Sequence, residues 1–207
     1  MVVNHLKFYA SGAPWMTDLV ACIRDSMSSL GFIDSCYPML SSWGVRDEDV
    51  LVHSLGCSAW NLLGHKLGFM AVTECPAPMT HGADIRPDST WFSLENRTPD
   101  VLIEFERFDG TDRGQRKLDE KLCNLLETSM RWGDSPSVLI LSAWSKGVVS
   151  APNKDRFLER CTRGFKSAAG VQVPPVRNTV VLFSRFIFEI EGRASLLLTQ
   201  VRCERLL

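Results

Sequence analysis

The stretch SVLILSAW at residues 137–144 narrows the architecture of this chain more than any other. Its apolar residues run on without alternating with polar ones. Such a run fits a strand covered on both faces, as in the interior of an α/β sheet. Before it, Gln115 to about Trp132 reads as a helix, with Leu118, Leu122, Leu125, Leu126 and Met130 on one face and Gly133 as its stop. Before that helix, DVLIEFERF at 100–108 reads as a further apolar strand, broken off by DGTDRG. Strands mixed with helices in this way point to an α/β layer fold, with a mixed central sheet flanked by helices.

The flanking segments extend the pattern. Pro14 opens a first helix carrying Met16, Leu19, Val20, Ile23, Met27 and Leu30, and Gly31 is its expected end. Asp47, Glu48 and Asp49 suit the start of a second helix, which carries Val50, Leu51, Leu55, Trp60, Leu62, Leu63 and Leu67. Gly56 and Gly64 are expected to weaken or break it, and Gly68 to cap it. FMAVTEC reads as a short strand, CPAPMTHG as a loop, and STWFSL as a strand after Pro87-Asp88. ENRT makes a turn into the strand at 100–108. Asn153 caps a last helix whose buried stripe is Phe157, Cys161, Phe165 and Ala168. A hairpin of VVLFSRFIFEI and SLLLTQVRC closes the chain, joined around Glu191-Gly192. That hairpin either completes the sheet or offers a dimer interface.

Composition removes several function classes. Lys and Arg number 23 against 24 Asp and Glu, a formal net charge of −1, which argues against a strongly basic nucleic-acid coat but leaves room for a local basic cleft. No apolar stretch reaches membrane-spanning length, and the first fifteen residues do not read as a signal peptide. The seven cysteines form no close pairs, so they read as buried thiols of a reducing cytoplasm and not as a zinc site or disulfide frame. His5, His53, His65 and His81 form no helical metal motif of the zinc-protease kind and read as surface or core filler. HSLGCSAW is not G-x-S-x-G, and no phosphate-loop or dinucleotide glycine motif occurs.

Acidic residues carry the chemistry. Side chains alternate along a strand, so Glu104 and Glu106 share one face of the strand at 100–108. If ENRT is a hairpin turn, Asp88 at the start of the neighbouring strand sits beside Glu104. Three carboxylates there repel one another unless a cation bridges them. A hard divalent ion with oxygen ligands suits such a group, with Mg²⁺ the first choice and Mn²⁺ an alternative. The plain structural reading is that these acids form a solvent face and pair with Arg107, Arg113 or Lys117. Asp100, in the second Pro-Asp pair, is expected to cap the turn.

Arg86-Pro87-Asp88 and Val101-Leu102-Ile103-Glu104-Phe105-Glu106, followed by a helix and an apolar strand, resemble the PD-(D/E)xK nuclease superfamily, with its restriction-endonuclease-like fold. The resemblance covers about residues 60–145. It implies a nuclease-like core over about 45–145 within a single α/β domain spanning 1–207, the C-terminal helix and hairpin lying at 153–203. It also implies a metal-dependent nuclease that hydrolyses phosphodiester bonds, most readily of DNA. Asp88, Glu104 and Glu106 would hold the metal. Glu106 stands where the family usually has Lys, as in some restriction enzymes. Other members supply a lysine from the following helix, and Lys117 and Lys121 sit one turn apart on that helix. Either would orient water or stabilise charge on the phosphate. The family often adds an acid from the preceding helix, for which Glu48 and Glu74 are candidates. Pairing into homodimers to cut both strands is a further implication. Two other functions stay open: a non-catalytic module of the same fold that binds nucleic acid or a protein, and a partner-binding α/β protein whose acids form only salt bridges.

Two further features have two readings each. Arg156, Arg160 and Arg163, with Lys154 and Lys166, make either a phosphate-contacting helix face or a solvated one. DGTDRGQRK is either a phosphate-touching helix start or an ordinary turn. Of the six tryptophans, most suit core packing, Trp91 among them.

Overall fold

The computed structural model describes residues 14–46, 49–79, 84–192 and 195–207. In chain order its elements are α1 (Pro14–Ser26), α2 (Gly31–Cys36), a π-type turn (Met39–Trp43), β1 (Val45–Arg46), α3 (Asp49–Lys66), β2 (Met70–Val72), β3 (Ser89–Phe92) and β4 (Pro99–Arg107). There follow α4 (Asp112–Arg131), β5 (Val138–Lys146), α5 (Lys154–Arg163), β6 (Phe165–Lys166), β7 (Gln172–Val173), β8 (Val180–Glu191) and β9 (Ser195–Arg205). Seven strands form one mixed sheet in the order β1–β9–β8–β5–β4–β3–β2, and β6 with β7 makes a separate ribbon. The α/β layer architecture with a mixed central sheet is the one expected from the sequence.

At the centre, β4 and β5 pair in parallel across the α4 crossover, and β8 pairs in parallel with β5. Strands β2, β3 and β4 form an antiparallel meander. The continuous apolar run in β5 is buried throughout Val138 to Trp144 because helices cover both of its faces. Trp60 from α3, Trp91, Val101, Ile103 and Phe105 belong to the core on one face. Leu118, Leu122, Leu125 and Leu126 from α4 pack with Leu102, Leu139 and Leu141 on the other. The strict alternation along β4 thus sends Val101, Ile103 and Phe105 to one layer and Leu102 to the opposite one.

Several sequence expectations need correction. The first helix ends at Ser26, and the chain starts a separate helix at Gly31, after the poor helix formers Ser28 and Ser29. Helix α3 is unbroken through Gly56 and Gly64. Both glycines serve close packing: a Cβ at Gly56 would overlap the Phe105 ring, and one at Gly64 would lie 2.8 Å from Trp91. Val50 and Leu62 of the same helix face solvent. The last helix stops at Arg163, where Gly164 takes a φ of +69°, and Phe165 continues the apolar stripe from β6 instead. The first thirteen residues, Asp47, Glu48 and His81 lie outside the described residues.

Other expectations hold. Helix α1 begins at Pro14, and Leu19, Val20, Ile23 and Met27 are buried. The C-terminal hairpin closes the sheet, with β8 antiparallel to β9. Asp100 Oδ2 accepts from the Ser93 N–H at 2.9 Å, so it caps the turn before β4. Thr111 caps α4 by accepting from the Gly114 N–H, and Asp109 accepts from the Thr111 N–H, so DGTDRG forms a turn and a capped helix start. On α5, Arg156 pairs with Asp119, Arg163 with Glu159, and Arg160 lies over Phe165, contacts that suit a solvated helix face. Trp60, Trp91 and Trp144 are core residues, whereas Trp43 is 73% exposed. Among the described residues no helix is long and apolar enough to cross a membrane.

Candidate metal centre between β3, β4 and α3

Strand β3 is short and begins just after Asp88. Its register pairs Ser89 with Ile103 and Thr90 with Leu102, so Asp88 falls opposite Glu104. The hairpin expected from ENRT brings these two acids together. Both are buried, Asp88 at 5% and Glu104 at 1% exposure. Burying two carboxylates side by side is costly unless partners hold them.

Each acid has one oxygen anchored. Asp88 Oδ2 accepts from the Phe105 N–H at 2.7 Å. Glu104 Oε2 accepts from Lys121 Nζ, also at 2.7 Å. Of the two helix lysines named from the sequence, Lys121 therefore joins the acids. Lys117 reaches Glu106 instead, at 3.9 Å. Glu106 also accepts from the Arg107 N–H at 2.8 Å. It lies further along β4, where the strand emerges from the core, and is partly exposed. The three acids named from the sequence thus divide: Asp88 and Glu104 are neighbours inside, and Glu106 belongs with Lys117 outside.

A third element enters that the sequence reading missed. Helix α3 places His53 and Cys57 one turn apart on the face turned to Asp88. His53 Nε2 is 3.6 Å from Asp88 Oδ1 and 3.6 Å from Cys57 Sγ. Donor atoms of His53, Cys57 and Asp88 lie within 4.8 Å of one another, the only such convergence of three among the described residues. The available signal was the His-x-x-x-Cys spacing in HSLGC, which puts two ligand types on one helical face. It stayed hidden because His53 read as filler and Cys57 as a buried thiol. Cys57 is indeed buried, as are Cys161 and Cys203, but Cys22 is exposed. Glu74, an expected helix-side acid, is exposed in the turn after β2, where its charge acts on Arg86.

The electrostatics follow from burial and pairing. Burial pushes the Glu104 carboxyl up to about 8, Lys121 opposing the rise and Asp88 adding to it. Burial also raises Asp88, but His53, the Phe105 N–H and Lys121 outweigh it and hold Asp88 below the usual carboxylate range. His53 is raised to about 10, chiefly by hydrogen bonding to Asp88 and then by Cys57, against the opposing effect of burial. Lys121 stays above its ordinary value because Glu104 outweighs its burial. Positive groups on α3 and α4, His53 and Lys121, thus flank the two acids where β3 begins beside β4.

Asp88 Oδ1, 3.6 Å from His53 Nε2, and the neighbouring Glu104 carboxylate offer oxygens of the kind a divalent cation completed by water would take. His53 and Cys57 border the Asp88 oxygen and extend the donor set to nitrogen and sulfur. Compared with protein-family models, with curated proteins and with solved structures, the chain matches none.

Proposed function

We propose that the protein is a metal-dependent nuclease of the PD-(D/E)xK type, acting on phosphodiester bonds and most readily on DNA. The observation that carries this reading is the Lys121–Glu104 contact beside Asp88. The resemblance lacks a lysine on the strand and calls for one from the next helix. Lys121 meets that need. The order α3, antiparallel β2–β3–β4, α4 and parallel β5 supports the same reading.

A cation bound by Asp88 and Glu104 would offset the charge of a phosphodiester and make water a better nucleophile. The protein's own residues do the rest. Phe105 N–H fixes the Asp88 carboxylate. Lys121 fixes Glu104 and brings a positive charge to the place where a phosphate oxygen gains negative charge. Lys117, which reaches Glu106, and Arg113 and Arg116 are exposed on α4, the helix that carries Lys121, and would supply contacts to the flanking phosphates.

The test is cleavage of plasmid DNA, single-stranded DNA and RNA with Mg²⁺ or Mn²⁺, beside Asp88→Asn and Glu104→Gln. Metal-dependent cutting that both substitutions abolish is the expected result. Absence of cutting in every condition, or its survival in both variants, would sink the proposal. One observation favours a second reading, a non-catalytic module of this fold. His53 and Lys121 already balance the two acids without any metal. Nucleic-acid binding without cutting would select that reading.

A further inference from the structure

Asp88 is shared between two sets of neighbours, and the set on α3 has a chemistry of its own. We infer that His53, Cys57 and Asp88 form a three-ligand site for a borderline transition metal, Zn²⁺, and not for Mg²⁺. The geometry carries this. Zinc takes sulfur at about 2.3 Å and nitrogen or oxygen at about 2.0–2.1 Å, in tetrahedral arrangement. Those lengths put sulfur and nitrogen about 3.6 Å apart, and nitrogen and oxygen about 3.3 Å apart. Here Cys57 Sγ and His53 Nε2 stand 3.6 Å apart, and His53 Nε2 and Asp88 Oδ1 stand 3.6 Å apart. The third pair, Cys57 Sγ and an Asp88 oxygen, lies within 4.8 Å, so rotation of these side chains would close the three around one ion.

The surroundings hold the ligands in place. Asp88 Oδ2 is fixed by the Phe105 N–H, which leaves Oδ1 facing the helix. The Phe105 ring packs against the His53 imidazole, with centroids 6.0 Å apart. Gly56, between the two ligands on α3, lets that ring approach the helix backbone. Supports of this kind orient metal ligands and raise affinity. Cys57 and Asp88 are buried, while the His53 side chain is 41% exposed, so an ion can enter past the imidazole.

The donor types set the ion. A thiolate and an imidazole suit zinc or cobalt, whereas Mg²⁺ prefers oxygen and water. Three protein ligands leave a fourth position open, the pattern of zinc sites that act on a substrate. The inference stands on these three residues and does not require the nuclease reading.

Cobalt reports the ligands directly. The metal-free full-length protein is titrated with Co²⁺ alone, and the near-ultraviolet thiolate-to-cobalt charge-transfer band and the visible ligand-field bands are followed. One equivalent is expected to give both, Zn²⁺ to displace it, and a large excess of Mg²⁺ to leave the spectrum unchanged. Cys57→Ser is expected to lose the charge-transfer band. His53→Gln is expected to alter the ligand-field bands and weaken binding by more than ~100-fold, since losing a ligand costs more than losing one of its supporting contacts. Far-ultraviolet circular dichroism checks that each variant folds. If Cys57→Ser does not fold, His53→Gln, at a half-exposed position, decides. No cobalt binding, a charge-transfer band that survives Cys57→Ser, a spectrum unmoved by His53→Gln, or displacement by Mg²⁺ would each overturn the inference. Cleavage supported by Mg²⁺ in the same preparation would leave the nuclease reading standing while this one fell.

Discussion

Lys121 Nζ lies 2.7 Å from Glu104 Oε2, although the two residues belong to consecutive elements, β4 and α4, on opposite sides of a tight turn. Glu104 is fully enclosed, so the lysine is its main compensation. Removing one partner of a buried pair leaves the other uncompensated. Lys121→Met therefore destabilises the protein, and the size depends on pH. The folded Glu104 pKa is raised from 4.5 to about 8, so its ionisation erodes stability as pH climbs through that window. Without Lys121 the folded pKa rises further, and the erosion continues above pH 8. Urea unfolding should show a small deficit near pH 5 that grows to about 3 kcal/mol by pH 9. Glu104→Gln combined with Lys121→Met should remove most of the pH dependence.

His53 supplies the second positive charge at the site, beside Asp88. Its folded pKa is raised to about 10, first by hydrogen bonding to Asp88. The corresponding stability is complete below the unfolded value of 6.5 and is lost as pH rises through about 10. In metal-free protein, NMR titration of the His53 ring should find it still protonated at pH 8. Asp88→Asn should bring its midpoint down toward the ordinary range. A His53 midpoint near 6.5 in the unsubstituted protein would contradict the pairing.

Gly56 joins the helix to the site. A methyl group there would overlap Phe105, whose backbone N–H anchors Asp88 and whose ring flanks His53. Alanine favours helix over glycine by about 1 kcal/mol, yet overpacking a core costs about 1–3 kcal/mol. Gly56→Ala should lower the thermal midpoint despite its better helix propensity, and it should shift the His53 ring resonances. An unchanged or raised midpoint would show that α3 has room to move away from β4.

The uneven legibility of this chain has physical reasons. Strands β4 and β5 and the helix between them were readable because each has one dominant apolar pattern and a clear stop. The neighbouring positions of Asp88 and Glu104 followed from alternation and a four-residue turn. The pairing of Lys121 over Lys117 did not, since both lie on one helix face, and which acid each meets depends on how far along β4 it falls: Lys121 at Glu104, Lys117 at Glu106. His53 and Cys57 were harder still. Their relation to Asp88 spans more than thirty residues, and a lone His or Cys on a helix says nothing of what lies opposite. The role of Gly56 depends on one aromatic ring in a distant strand, so its sequence signal was only that of a weakened helix.

Glu104 and Glu106 stand two residues apart on the same strand face, but only the first lies inside. Glu104 meets Lys121 and Asp88 in the core. Glu106 meets Lys117 at 3.9 Å and its neighbour's N–H at the emerging end of β4. If cleavage is found, the two acids should separate sharply in it. Glu104→Gln removes a ligand charge and frees Lys121, so activity should fall by ~100-fold or more, as when a charge-stabilising group is removed from an active site. Glu106→Gln breaks a long, partly exposed ion pair worth at most about 1 kcal/mol, and activity should fall by less than about tenfold. Stability should separate them as well: Glu106→Gln should leave the urea midpoint nearly unchanged, and Glu104→Gln should move it. Equal losses of activity in the two variants would return Glu106 to the metal site and would mean that its carboxylate turns inward when the metal binds.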